Sequence, residues 1–173
     1  RELANGNHEI GIHIAAPALG IVPDSPLDAV ARERLSTVYF PGGKITMLPD
    51  AAVAAYTLAA GRECPALSIY FDVAPDFSLL GHETRVERIR IADNLRHDAL
   101  EPVFNAAMLA AGSVAHPQGE ALAWLWQFSG SRLHTRKGDA PPLEDRPEFV
   151  FQVTDGRVDI SRRQRGTPID QAV

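Results

Sequence analysis

The chain has 173 residues, of which 45% are apolar and 23% are charged, and its formal net charge is −5 at pH 7. We expect one domain segment over residues 1–173 around a single core, and not the basic surface of a free-standing nucleic-acid binder. The lone cysteine, Cys64, excludes an internal disulfide and favours a cytoplasmic protein. No apolar run reaches the roughly 20 residues of a membrane-spanning helix, so we expect no membrane partner.

The first quarter of the chain predicts a strand, a helix and a sharply turned second strand. His8–Ala15 carries isoleucine at every second position, which is typical of a half-buried strand. Residues 25–28 (Ser-Pro-Leu-Asp) provide the cap, the proline and the acidic residue that begin a helix. A run with β-branched residues then leads to Tyr39 and a bend at Pro41–Gly43. We therefore expect Tyr39 near the end of a strand, next to exposed backbone.

The middle of the chain predicts a strand pair between helices. Asp50 is expected to cap a short alanine-rich helix that ends near Leu58. Residues 65–74 have the strongest strand pattern, and residues 79–90 follow a Pro-Asp turn as the partner strand. Two further helices are expected, over residues 98–111 and 118–136.

The last part of the chain predicts a connector and a hairpin. Residues 140–147 are rich in proline and indicate a connector. Phe149–Val153 and Val158–Ile160 flank Asp155-Gly156, which is a strong signal for a tight hairpin turn. Together, the elements predict a mixed α+β fold in which helices pack on a mostly antiparallel sheet.

Both ends of the sequence have the features of a truncated segment. The chain begins at Arg1 and ends within a helix start, with Thr167 as cap, Pro168 at the first position and Asp170 three residues after the cap. Because one helical turn is not stable alone, we expect the helix to continue beyond residue 173.

Three neighbouring segments together resemble one enzyme family. They are Ile10-Gly11-Ile12-His13-Ile14-Ala15, residues 27–34 (Leu-Asp-Ala-Val-Ala-Arg-Glu-Arg) and residues 36–49 (Ser-Thr-Val-Tyr-Phe-Pro-Gly-Gly-Lys-Ile-Thr-Met-Leu-Pro). The chain resembles the central segment of the RNB catalytic domain of the ribonuclease II and ribonuclease R family. The family pattern is a strand ending Ile-Ala-Asp, a helix Leu-Asp-x-x-Ala-x-x-Arg, and then Ser-Val-Tyr-Leu-Pro and Pro-Met-Leu-Pro. A weaker similarity continues to the end of the chain.

The resemblance implies a metal-dependent 3′-to-5′ exoribonuclease that hydrolyses single-stranded RNA to nucleoside monophosphates. Family members hold Mg²⁺ with an aspartate-rich motif, because hard cations require oxygen ligands. The sequence contains no such motif, and its histidines lack metal-binding spacing. By the family order, the motif belongs upstream of Arg1, so we expect no catalytic residue and no metal ligand in this chain. The expected partners are single-stranded RNA and the remaining segments of the same catalytic domain.

Four residues are candidates for RNA contact. Tyr39 matches the family tyrosine that stacks on a base; the alternative is a core tyrosine with a satisfied hydroxyl. Lys44, beside the glycine bend, contacts a phosphate or is a solvated lysine. Arg34 is expected to contact a phosphate or to support a residue that contacts RNA. The alternative is an arginine whose side chain covers the core. Arg165 belongs to a basic segment over residues 156–166. The alternative to RNA contact is that this segment forms an ordinary solvated face.

Two positions depart from the family pattern. Ala16 stands where the family strand usually has aspartate, and Leu143 lies near the place of a second aromatic ring that clamps the stacked bases in ribonuclease II. These departures motivate an alternative function, a catalytically inactive RNA-binding or regulatory protein that retains the fold.

Overall fold

Helices and antiparallel strands alternate along the part of the chain that the computed structural model describes, residues 1–112, 114–137, 148–163 and 166–172. In chain order the elements are β1 (His8–Ala15), a 3-10 helix (Pro17–Leu19), α1 (Pro26–Arg34), β2 (Val38–Phe40), β3 (Gly43–Ile45), α2 (Asp50–Tyr56), β4 (Glu63–Val73), β5 (Leu79–Arg90), α3 (His97–Leu100), α4 (Ala106–Ala110), α5 (Gly119–Lys137), β6 (Glu148–Thr154), β7 (Arg157–Arg163) and α6 (Pro168–Ala172).

The largest sheet has the strand order β1-β4-β5, and both pairings are antiparallel. The register places Ile12 opposite Ile69 and Leu67 opposite Val86, so one face of the sheet is apolar. Helix α5 covers the end of this face near His8, whose ring stacks on Trp124 with 4.2 Å between ring centroids. The opposite face bears the polar side chains His13, Ser68 and Glu87 together with the buried residues Cys64 and Ala66.

A second apolar cluster joins the helices in the C-terminal half of the chain. Its buried members come from α3, α5, α6 and the loop after α3, namely Leu100, Phe104, Leu122, Ile169 and Ala172. This cluster fixes α6 against α5. The predicted start of α6 is confirmed, since Thr167 and Asp170 exchange hydrogen bonds through the Thr167 hydroxyl.

Two predicted helices differ in the structure. Asp50 is the first residue of α2 and makes no capping bond, because Pro49 occupies the cap position, and α2 ends at Tyr56. The helix expected over residues 98–111 is divided into α3 and α4. The division follows Pro102, which cannot continue the helical hydrogen bonding. Asn105 then begins α4 anew by accepting a hydrogen bond from the backbone N–H of Met108 at 3.1 Å.

Strands β6 and β7 agree with the predicted hairpin, whereas β3 was not predicted as a strand. The turn between β6 and β7 has positive φ at both central residues, 51° at Asp155 and 76° at Gly156, as a tight hairpin turn requires. The predicted connector over residues 140–147 lies outside the described residues. Among the described helices, none combines the length and the hydropathy needed for a membrane crossing.

Candidate functional site

Strands β2 and β3 form a short hairpin, which we call the Tyr39 hairpin (residues 38–45). Its register pairs Val38 with Ile45, Tyr39 with Lys44 and Phe40 with Gly43. Gly42 in the turn has a φ of 86°, a conformation that favours glycine. All six strand residues are exposed. Both strands of the hairpin are therefore accessible to solvent within this chain.

Tyr39 and Lys44 lie on the same face of this hairpin, because residues directly opposite each other in an antiparallel pair share a side. Tyr39 is 75% exposed, so it does not lie in the core of this chain. Lys44 is a residue of β3 rather than of the bend. An exposed ring beside an ammonium group is able to stack on a planar group while it contacts an anion. RNA contact by either residue stays a prediction.

Two hydrogen bonds stabilise the base of the Tyr39 hairpin. Arg34, the last residue of α1, donates from Nη1 to the carbonyl oxygen of Thr46 at 2.9 Å. On the other strand, the hydroxyl oxygen of Thr37 accepts a hydrogen bond from the backbone N–H of Met47 at 3.3 Å. Arg34 is exposed, so it does not cover the core of this chain.

The tip of the Tyr39 hairpin touches the hairpin formed by β6 and β7. A Cβ atom added to Gly42 would lie 3.3 Å from Cγ2 of Val153. The two hairpins are therefore in close contact at this point, and the absent side chain of Gly42 makes the contact possible. The face of β6 that bears Val153 also bears Phe149 and Phe151, which are both half exposed.

A polar cluster on the main sheet was not predicted from the sequence. Ser68 is fully buried, and its hydroxyl oxygen lies 2.8 Å from Nδ1 of His13. The Tyr70 hydroxyl donates to the Glu87 carboxylate at 2.6 Å. This bond raises the pKa of Tyr70, and the bonds from Tyr70 and Ser68 lower the pKa of Glu87. The guanidinium of Arg85 lies 4.9 Å from the centre of the Tyr70 ring. The sequence offers only the alternation of β1 as a signal.

A second unpredicted cluster connects α3, β7 and α6. Nη2 of Arg163 lies 3.0 Å from Nε2 of His97 and also pairs with the Asp170 carboxylate. Partial burial raises the pKa of Asp170, but hydrogen bonds from Thr167 and Arg163 outweigh it and hold that pKa below its ordinary value. The cluster joins α3 to β7 and α6, with His97 and Arg163 66 residues apart in the chain, which is a structural role.

Within the described ranges, no three His, Cys, Asp or Glu side chains come together in a way that could hold a metal ion. Those residues therefore do not fit a magnesium site by themselves. Arg165 and Leu143 fall outside the described residues, and the expectations about them stay predictions. Of the candidates for RNA contact, the structure brings Tyr39, Lys44 and Arg34 together in and around one hairpin.

The comparison with protein families identifies the fold. The family model described as "RNB domain" matches residues 1–169. The chain belongs to the RNB domain family. A curated relative from Vibrio vulnificus (strain YJ016), named Exoribonuclease 2, is 34% identical over 157 residues, which cover 87% of this chain and 23% of the relative. The chain thus spans about a quarter of the length of the curated relatives that it matches. The predicted resemblance to this ribonuclease family is confirmed.

Solved structures show the same fold at low sequence identity. Mycoplasma genitalium RNase R, solved in complex with double-stranded RNA, has a TM-score of 0.78 and is 13% identical; the match covers 95% of this chain and 29% of that chain. Yeast Ssd1, which is described as a pseudonuclease, has a TM-score of 0.68 and is 23% identical, with 82% and 16% coverage. At these identities the likeness supports the fold, and the predicted α+β class with mostly antiparallel pairing is confirmed.

Proposed function

We propose that the protein is a 3′-to-5′ exoribonuclease that hydrolyses single-stranded RNA to nucleoside monophosphates, and that this chain supplies part of its RNA channel. One observation carries the proposal: the exposed ring of Tyr39 lies across the hairpin from Lys44. Membership of the RNB domain family and the relatives named Exoribonuclease 2 support it.

The geometry suits an enzyme that removes nucleotides regardless of sequence. Every base presents a π-face, so an aromatic ring binds each base in turn and contributes about 1–3 kcal/mol per base. An ammonium group on the same face as the ring is placed to contact the phosphate that links two stacked nucleotides. Neither contact reads the identity of the base, so the hairpin is able to hold successive 3′ ends in the same way.

We propose that hydrolysis depends on Mg²⁺ held by carboxylates that lie outside the residues described here, since the described residues provide no such ligand set. When bound, the metal supplies an activated water and stabilises the departing oxygen. The test is chelation: EDTA should stop hydrolysis by the full-length protein, and added Mg²⁺ should restore it. Hydrolysis that continues in excess EDTA would contradict the metal dependence.

The first experiment uses the full-length protein with 5′-labelled single-stranded RNA and Mg²⁺, and resolves the products on a gel. We expect a ladder that shortens from the 3′ end to a small core. Tyr39→Ala should weaken binding about fivefold to a hundredfold, which corresponds to the loss of one stacked base, or change the size of the final product. The matched control is Val38→Ala, a neighbouring strand residue on the opposite face. Equal products and affinity for both variants would refute the stacking role of Tyr39.

The second candidate function is a catalytically inactive RNA-binding or regulatory protein. The observation in its favour is Ala16, which directly follows β1 at a position where this family usually has aspartate. Its backbone N–H donates to the carbonyl of Pro65 at 3.2 Å and its carbonyl accepts from the N–H of Leu19 at 3.1 Å, but its methyl side chain provides no carboxylate. The same experiment separates the two functions. RNA that is bound but stays intact in Mg²⁺ would favour the binding protein.

A further inference from the structure

We infer that Arg34 is a positioning residue, which sets the orientation of the Tyr39 hairpin through the Thr46 carbonyl and does not act as a phosphate contact. The inference rests on the proposed function, because it assigns a role toward the base that Tyr39 is proposed to stack on. It concerns how the ring is held, which neither the family membership nor the relatives specify.

The Tyr39 hairpin needs support from outside itself. It has three cross-strand pairs, and an isolated two-stranded hairpin is marginally stable at best in water. Its six strand residues are exposed, so no apolar face fixes it against the core of this chain. The direction in which the Tyr39 ring points therefore depends on the contacts at the base and at the tip.

Arg34 provides the charged contact at the base. Its guanidinium donates to the Thr46 carbonyl, one residue after the end of β3 and two residues after Lys44. Hydrogen bonds with a charged donor are stronger than neutral ones. The bond joins two points 12 residues apart in the chain, the end of α1 and the end of the hairpin. Because α1 has its own N-cap at Ser25, it gives the hairpin a fixed reference.

Arg32, on the same helix, differs from Arg34 in the partners of its guanidinium. Arg32 pairs with Asp28 at 3.0 Å and with Asp24 at 3.4 Å, and it makes its ion pairs at the beginning of its own helix. Arg32 and Arg34 thus have equal charge, a common helix and similar exposure, but different partners. Arg32 is the matched control for Arg34.

The experiment measures two properties of the full-length protein in parallel. A single-stranded RNA with 2-aminopurine at its 3′ end reports stacking through quenching of its fluorescence, and EDTA keeps the RNA intact. The salt dependence of affinity reports how many phosphates are neutralised, with a slope of about 0.7 per contact for single strands. Tyr39→Ala defines the signal without stacking on this ring.

We expect Arg34→Met to reduce the quenching and to weaken binding about threefold to tenfold, which is the effect of one lost hydrogen bond. The slope of log affinity against log salt should stay as in the unaltered protein. Arg34→Lys, which keeps a charged donor, should recover part of the quenching. Arg32→Met should leave the quenching unchanged. Circular dichroism checks folding, and if Arg34→Met does not fold, Arg34→Gln is measured with the same two assays and the same unchanged slope is expected.

Two results would overturn the inference and leave the proposed function in place. One is a salt slope that falls by about 0.7 in the Arg34 variant, which would make Arg34 a phosphate contact. The other is full quenching in the Arg34 variant while Tyr39→Ala abolishes it. If Tyr39→Ala itself retains full quenching, the proposed role of the hairpin fails, and the inference fails with it.

Discussion

Removal of the Ser68 hydroxyl tests the polar cluster on the main sheet most directly. The Ser68 side chain is fully buried, and it lies between His13 on one side and the Glu87 carboxylate on the other. A serine hydroxyl has one proton to donate. The Ser68 hydroxyl and Nδ1 of His13 are hydrogen-bonded at 2.8 Å, and removal of the hydroxyl deprives Nδ1 of this partner whichever of the two atoms is the donor.

The expected cost of Ser68→Ala follows from this arrangement. The substitution leaves Nδ1 of His13 without its hydrogen-bond partner in a partly buried place, whereas Glu87, which is also partly buried, retains its bond from Tyr70. An unsatisfied buried polar group costs about 1–3 kcal/mol, which we expect as the loss in the free energy of unfolding. For a chain of this length each kcal/mol corresponds to about 2–4 °C in melting temperature.

The assay is urea unfolding of the chain at neutral pH, followed by circular dichroism. Ser161→Ala is the matched control, because Ser161 is an exposed serine in β7. We expect the control to lie within about 0.5 kcal/mol of the unaltered chain. If Ser68→Ala is equally harmless, the hydrogen bond between the Ser68 hydroxyl and Nδ1 of His13 does not contribute to stability, and the reasoning is refuted.

Two further predictions concern the tip of the Tyr39 hairpin and the start of α6. Gly42→Ala should lower stability by about 1–2 kcal/mol, the cost of a side chain at positive φ, and should also weaken RNA binding, because its Cβ meets Val153. Gly6→Ala, at a φ of 82° with no neighbour, should lower stability alone, and equal RNA affinity of the two variants would contradict the contact. Asp170 has a lowered pKa, so its contribution to stability is present above the ordinary carboxyl pKa and is lost as pH falls through the folded value. The stability gap between the unaltered chain and Asp170→Asn, from urea unfolding at pH 3 to 7, should shrink toward acid; a constant gap would refute this.

Local chemistry explains why the first strand and the turn of the Tyr39 hairpin were predictable. A proline followed by two glycines encodes a turn whatever surrounds it, and Gly42 does adopt the positive φ that such a turn uses. The turn at Asp155 and Gly156 was predictable for the same reason. The break between α3 and α4 also had a local signal in Pro102, but the apolar periodicity around it favours a continuous helix.

The long-range contacts of the main sheet and of the Tyr39 hairpin were not predictable, because no local sequence pattern encodes them. His13 and Ser68 are 55 residues apart and become neighbours only through the register of β1 on β4. The bond from Arg34 to Thr46 requires the chain to leave α1 and return through both strands of the hairpin. The stacking role proposed for Tyr39 rests on the resemblance of its segment to the family motif, whereas the positioning role proposed for Arg34 rests on its acceptor, the Thr46 carbonyl. For this reason the resemblance carried by the sequence was sufficient to propose Tyr39 as a candidate, and the fold was needed to distinguish the partners of Arg34 from those of Arg32.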